Sequence, residues 1–129
     1  MNEPAIYEGG CHCGAVRFRV KVDNHQATLC NCSICTKKGF VHLIVPDFDF
    51  TLLQGEESLT TYTFNTGTAK HKFCRTCGIH SFYRPRSHPE GISVNIRCLD
   101  SDVIDKFEIV RFDGRNWEKN IENLRSEVP

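Results

Sequence analysis

Three thiols fall within six residues at Cys30-Asn31-Cys32-Ser33-Ile34-Cys35, a C-x-C-x-x-C pattern. On a tight turn they can converge on one soft cation. Zinc favours tetrahedral coordination by thiolate and imidazole, so three protein ligands leave one position open, as a catalytic zinc requires. A second set is split along the chain, Cys11-His12-Cys13 and Cys74-Arg75-Thr76-Cys77. Each pair has a glycine beside it, and glycine lets a backbone fold tightly around an ion. Together these four thiols would close a tetrahedron with no room for substrate, which is a structural site. It would couple metal binding to folding across more than half the chain.

Spacing alone leaves other combinations open. The triplet could be closed by His42, His71, His80 or Cys98, and Cys11 and Cys13 could equally join Cys30 and Cys32. Cys98 stands by itself in the sequence and reads as a small buried hydrophobe. His12, between two proposed ligands, is expected to point away. His42 and His80 read as core or surface histidines in strands. Lys37 and Lys38, just after the triplet, put positive charge near it, which would lower a thiol pKa or attract a carboxylate. Arg84 and Arg86 have the chemistry of a bidentate carboxylate clamp, set against plain surface charge.

The bulk properties narrow the classes. The chain has 129 residues, which fits a single zinc-binding domain over 1–129. Lys+Arg and Asp+Glu are both 16, for a net charge of zero, so no electrostatic case exists for nucleic-acid or membrane partners. No apolar run approaches the roughly 20 residues of a spanning helix. The first residues, Met1-Asn2-Glu3-Pro4, lack the pattern of a signal peptide, so cytoplasmic residence is expected. Eight cysteines in a reducing compartment point to metal rather than disulfides.

The elements that must position these thiols read as short strands. Residues 5–9 form a strand ending at Gly9-Gly10. Val16–Val22 alternates apolar and basic, the mark of a strand with one buried face. Further strands are expected at 39–45 (stopped by Pro46), 48–54, 59–64, 69–73, 79–83, 92–96 and 106–112. Gly55-Glu56-Glu57 and Asn65-Thr66-Gly67 read as turns. Residues 84–91 read as a loop. Trp117, Ile121 and Leu124 share one helical face, with Asn116 as N-cap. The fold class expected is therefore mainly β, of short antiparallel sheets with a short C-terminal helix.

Three stretches in order, Gly10-Cys11-His12-Cys13-Gly14, Cys30–Cys35 and Phe73-Cys74-Arg75-Thr76-Cys77-Gly78, resemble the glutathione-dependent formaldehyde-activating enzyme family. Phe73–Asp100, with Ser81-Phe82-Tyr83-Arg84-Pro85-Arg86-Ser87, resembles its centromere protein V branch. The resemblance runs from about Tyr7 to the C-terminal helix. It implies an Mss4-like, tent-shaped β fold and two zinc ions per chain. One would be structural, on Cys11, Cys13, Cys74 and Cys77. The second, catalytic in active members, would sit on Cys30, Cys32 and Cys35. It also implies carbon–sulfur lyase chemistry joining formaldehyde to a small thiol, glutathione, or the reverse. The chain is shorter than the founding enzymes and lacks the long basic extension of the animal centromere proteins. Three function classes follow: a zinc-dependent lyase on a thiol adduct, a zinc-stabilised binding module, and a thiol redox or metal-responsive protein. No catalytic base is identifiable, with His42 and His80 the candidates beside water.

Overall fold

The computed structural model describes residues 4–64, 67, 69–100 and 102–113. The expected C-terminal helix with Trp117, Ile121 and Leu124 lies outside these residues, as do Asn65 and Thr66. The elements are β1 (Ala5–Gly10), β2 (Arg17–Val22), β3 (Gln26–Cys30), α1 (Ser33–Lys38), β4 (Val41–Pro46), β5 (Phe50–Gln54), β6 (Leu59–Tyr62), β7 (His71–Cys74), β8 (Phe82–Tyr83), β9 (Gly91–Asn95) and β10 (Glu108–Phe112). The fold is mainly β, as the alternating sequence predicts.

The strands form three sheets: β1-β2-β5, β10-β3-β4-β9-β8 and the hairpin β6-β7. In β2 the alternation holds to the residue: Phe18, Val20 and Val22 are buried, while Arg19 and Lys21 are exposed. The sequence reading differs from the structure at several points: β3 and α1 have no counterpart in it, and the expected strand at 79–83 is only Phe82–Tyr83. Strand β10 runs parallel to β3, pairing Phe112 with Cys30. Segment 48–54 begins as a 3₁₀ turn at Asp47–Asp49 before β5. Strands β5 and β6 flank the Gly55 turn without pairing, because β5 joins β2 and β6 joins β7.

The two larger sheets meet through rings. Phe18 of β2 stacks on Phe50 of β5 at 5.5 Å and meets Phe82 of β8 edge-on at 6.2 Å. Phe50 and Phe82 close the triangle at 4.6 Å. Phe18 is fully buried, and truncating a buried phenylalanine typically costs about 3–5 kcal/mol. Outside the core, Arg17 of β2 pairs bidentately with Asp100, tying the first sheet to the segment after β9.

Gly55 sets the distance between β5 and the first cysteine turn. Its φ is +99°, and an added Cβ would lie 2.3 Å from the Ala15 carbonyl oxygen. An alanine there meets both left-handed strain and a backbone clash. Gly55→Ala is expected to cost about 2 kcal/mol or more in chemical denaturation. An unchanged midpoint would contradict this packing.

Candidate metal centre

The first cluster forms where two strands end. Strand β1 runs into Cys11, whose N–H donates to the Val16 carbonyl (3.1 Å), while the Gly14 N–H returns to the Cys11 carbonyl (3.3 Å). Strand β7 ends at Cys74 in a similar knuckle. The Cys74 N–H donates to the Ile79 carbonyl (3.1 Å) and the Gly78 N–H to the Cys74 carbonyl (2.8 Å). Gly14 and Gly78 both carry positive φ, +85° and +78°, which closes each turn at little steric cost.

The two knuckles bring Cys11, Cys13, Cys74 and Cys77 together, all four sulfurs within 4.8 Å of one another. The Cys11–Cys13 and Cys13–Cys74 sulfur separations are 3.6 and 3.7 Å. A tetrahedral zinc with Zn–S bonds of about 2.3 Å sets its sulfurs about 3.8 Å apart, so the donors fit that ion. The Val16 N–H points at the Cys11 sulfur (3.3 Å). The backbone N–H of Cys77 pulls the Cys74 thiol below its ordinary pKa.

The second cluster spans a strand end and a helix start. Cys30 closes β3. Cys32 is the N-cap of α1, its sulfur accepting the Cys35 N–H, and Cys35 lies one turn in. Helix α1 was not foreseen from sequence. Its signals were present: basic Lys37 and Lys38 in the last turn and Gly39 at the C-cap with φ +66°. The sulfurs of Cys30, Cys32 and Cys35 lie within 4.8 Å of one another. Cys32 is the thiol of the triplet most favoured as thiolate. Hydrogen bonds from the Cys30 and Cys35 thiols, joined by the backbone N–H groups of Cys35 and Ile34, push its pKa far down.

The histidines and lysines sort themselves around this triplet. His42 is fully enclosed, with Nε2 3.1 Å from the Cys35 sulfur and Nδ1 2.9 Å from Ser93 Oγ. Strand β9 supplies Ser93 beside His42 because β4 pairs with β9. Burial, then the charge of Lys38, lowers the His42 pKa to about 3, so the ring is neutral and orients Cys35. Its ring nitrogens do not lie within 4.8 Å of all three sulfurs. His71 stacks between Phe64 and Tyr83 and meets Lys38 Nζ through Nδ1 at 3.3 Å. Lys38 Nζ also sits over the rings of Tyr83 (4.1 Å) and Phe40 (4.4 Å). Burial lowers its pKa to about 8, opposed by the charges of Cys35, Cys32 and Cys30.

A cavity of about 890 Å³ opens beside α1, lined by Ser33, Lys37 and Lys38 on one side and by Thr61, Tyr62, Phe73 and His80 on others. Burial, then Lys38, holds His80 neutral with a pKa of about 4. Its Nδ1 is buried without a hydrogen-bond partner among the described residues. Cys98 stays outside both clusters, its sulfur 3.9 Å from the His80 carbonyl. His12 is exposed. Arg84 ties its own loop, donating to the carbonyls of Pro89 and Gly91, with the Asp47 carboxylate 3.8 Å away.

A family model described as glutathione-dependent formaldehyde-activating enzyme matches residues 6–112. A Halomonas elongata protein that bears the same family name is 32% identical over 108 residues, spanning 76% of this chain and 68% of the relative. A crystal structure of a Rhodobacter sphaeroides protein superposes with a TM-score of 0.74 at 40% identity, covering 81% of this chain and 99% of that one.

Two metal ions per chain are expected by elemental analysis. Cys32→Ser should lower the count to one with the fold retained, and Cys74→Ser should cost folded protein as well. His42→Ala should weaken metal affinity at the triplet by roughly 10–100-fold in a chelator competition. Unchanged affinity would remove His42 from the site.

Proposed function

The chain belongs to the glutathione-dependent formaldehyde-activating enzyme family, and from that we propose a zinc-dependent carbon–sulfur lyase acting on a thiol adduct such as S-hydroxymethylglutathione. The observation that carries the reading is the Cys30–Cys32–Cys35 triplet, three sulfurs gathered at the start of the helix that walls an open cavity. We take residues 1–129 as one zinc-binding domain, with Cys11, Cys13, Cys74 and Cys77 holding the structural ion. The Mss4-like fold name, the cytoplasmic setting and the centromere protein V-like branch of Phe73–Asp100 belong to the same reading and rest on sequence.

A zinc ion held by Cys30, Cys32 and Cys35 would stabilise sulfur as a thiolate and so make it a better leaving group. The chain's own residues do the rest. His42 and Ser93 fix Cys35, and the cavity holds the body of the thiol. As the C–S bond of the hemithioacetal breaks, its electrons go to sulfur, the hydroxyl loses its proton, and formaldehyde leaves. His42 is committed at both ring nitrogens, so it is not the base. His80 lines the cavity with a neutral ring, and it or a water takes the proton.

Exchange of the hydroxymethyl carbon between formaldehyde and glutathione, followed by carbon-13 magnetisation transfer, tests the reading. The wild-type chain should speed the exchange, and Cys32→Ser should return it to the uncatalysed rate while staying folded. Full activity in that variant would sink the lyase assignment. No acceleration with any thiol–aldehyde pair would leave a zinc-stabilised binding module.

A further inference from the structure

We propose that Lys38 is a positioning cation whose charge offsets the negative charge that an entering thiolate brings to the Cys30–Cys32–Cys35 site. It therefore selects anionic sulfur over neutral ligands there. The inference rests on the thiol-lyase reading and names the residue that would make the site prefer a thiolate.

The surroundings of Lys38 carry the inference. It lies one helical turn beyond Cys35, and its ammonium is half-buried among the ring of Tyr83, the ring of Phe40 and Nδ1 of His71. All three partners are neutral. None of the ion pairs among the described residues involves Lys38. Cys35 lies three residues back on the same face of α1, and the sulfurs of Cys32 and Cys30 gather within 4.8 Å of its own. An ammonium drawn out of water without a carboxylate is costly unless another anion compensates it. The triplet is that anion.

Charge counting gives the consequence. Three thiolates with a divalent cation sum to −1, and a fourth sulfur entering as thiolate raises this to −2. Lys38 returns the local sum to −1. Around it the rings of Phe40, His71 and Tyr83 exclude water, so its charge is felt more strongly than that of a solvated lysine. Neighbouring Lys37 is exposed and screened. A neutral ligand adds no charge and gains little from Lys38. The selected substrates are thus thiols that arrive, or leave, as thiolates.

The test uses the full chain with cobalt(II) in place of zinc. Glutathione is titrated and thiolate-to-cobalt charge-transfer absorption is read. Imidazole, a neutral ligand, is titrated in parallel. Lys38→Met keeps an apolar stem against the rings and should raise the glutathione concentration at half-saturation by about tenfold or more. Imidazole binding, cobalt content and melting temperature should be unchanged, and Lys38→Arg should stay within about threefold of wild type. Equal glutathione binding in wild type and Lys38→Met overturns the role of Lys38 and leaves the lyase reading standing. Equal weakening of glutathione and imidazole, or loss of cobalt in the variant, also overturns it, since Lys38 would then serve packing or the metal. A wild-type spectrum that ignores glutathione overturns the thiol reading and this inference with it.

Discussion

Four sulfurs from knuckles more than sixty residues apart in sequence sit at van der Waals distance from one another. As thiolates they would repel strongly in a partly desolvated place, so the arrangement persists only if a cation or shared protons lie between them. That constraint reaches into two of the three sheets. Strand β1 ends at Cys11 and carries the three-stranded sheet. Strand β7 ends at Cys74 and carries the β6-β7 hairpin. Holding the two strand ends together also fixes where the segment after each knuckle must start. After the first comes β2, whose Phe18 is the central ring of the core. After the second comes Ile79-His80-Ser81, which leads into β8.

The triplet obeys a different logic. Its sulfurs come from one short stretch, so their convergence needs no long-range closure, only a strand end, a cap and one helical turn. The long-range contacts go to the groups around it. His42 reaches Cys35 from β4 and is held by Ser93 from β9. His71 reaches Lys38 from β7, while Tyr83 from β8 and Phe40 after α1 enclose the ammonium. The result is a cation and several neutral rings packed against a set of sulfurs, in surroundings dry enough to depress His42, His71 and Lys38 alike. Such a shell is poorly suited to storing protons and well suited to fixing charge in place.

This difference explains what could be read from the sequence. The strands were legible wherever one face is buried, as in β2, because alternation records a local requirement. The two knuckles were legible because such turns need glycine at fixed offsets, and the triplet because three cysteines crowd six residues. The four-sulfur grouping was legible only as one of several combinations, since spacing does not say which turns meet. The parallel pairing of β10 with β3 left no local mark either. It depends on the path of the chain between β9 and β10. His42 reads as a core histidine from its strand, and it is one. Its contact with Cys35 is set by sheet register, which no single segment encodes. In sequence, Lys38 is only a positive charge near the triplet. The rings that give that charge its force come from elements as far away as β7 and β8.

The two clusters are not independent in space. Gly78 and His80, in and just beyond the second knuckle, line the same cavity as Lys37 and Lys38 of α1. Strand β7 provides Phe73 to that cavity one residue before it delivers Cys74 to the first cluster. His80 is further pinned through its carbonyl by Asn95, whose side chain also receives the N–H of Val41 one residue before His42. A change in how the knuckle closes would therefore move a cavity wall and strain the strand that carries His42. The four-sulfur cluster is in this sense part of the cavity's construction. The convergence of its four sulfurs fixes the position of His80 and Phe73 relative to the triplet. A site with softer geometry at that point would leave the cavity's far wall loosely placed, whatever the triplet itself held.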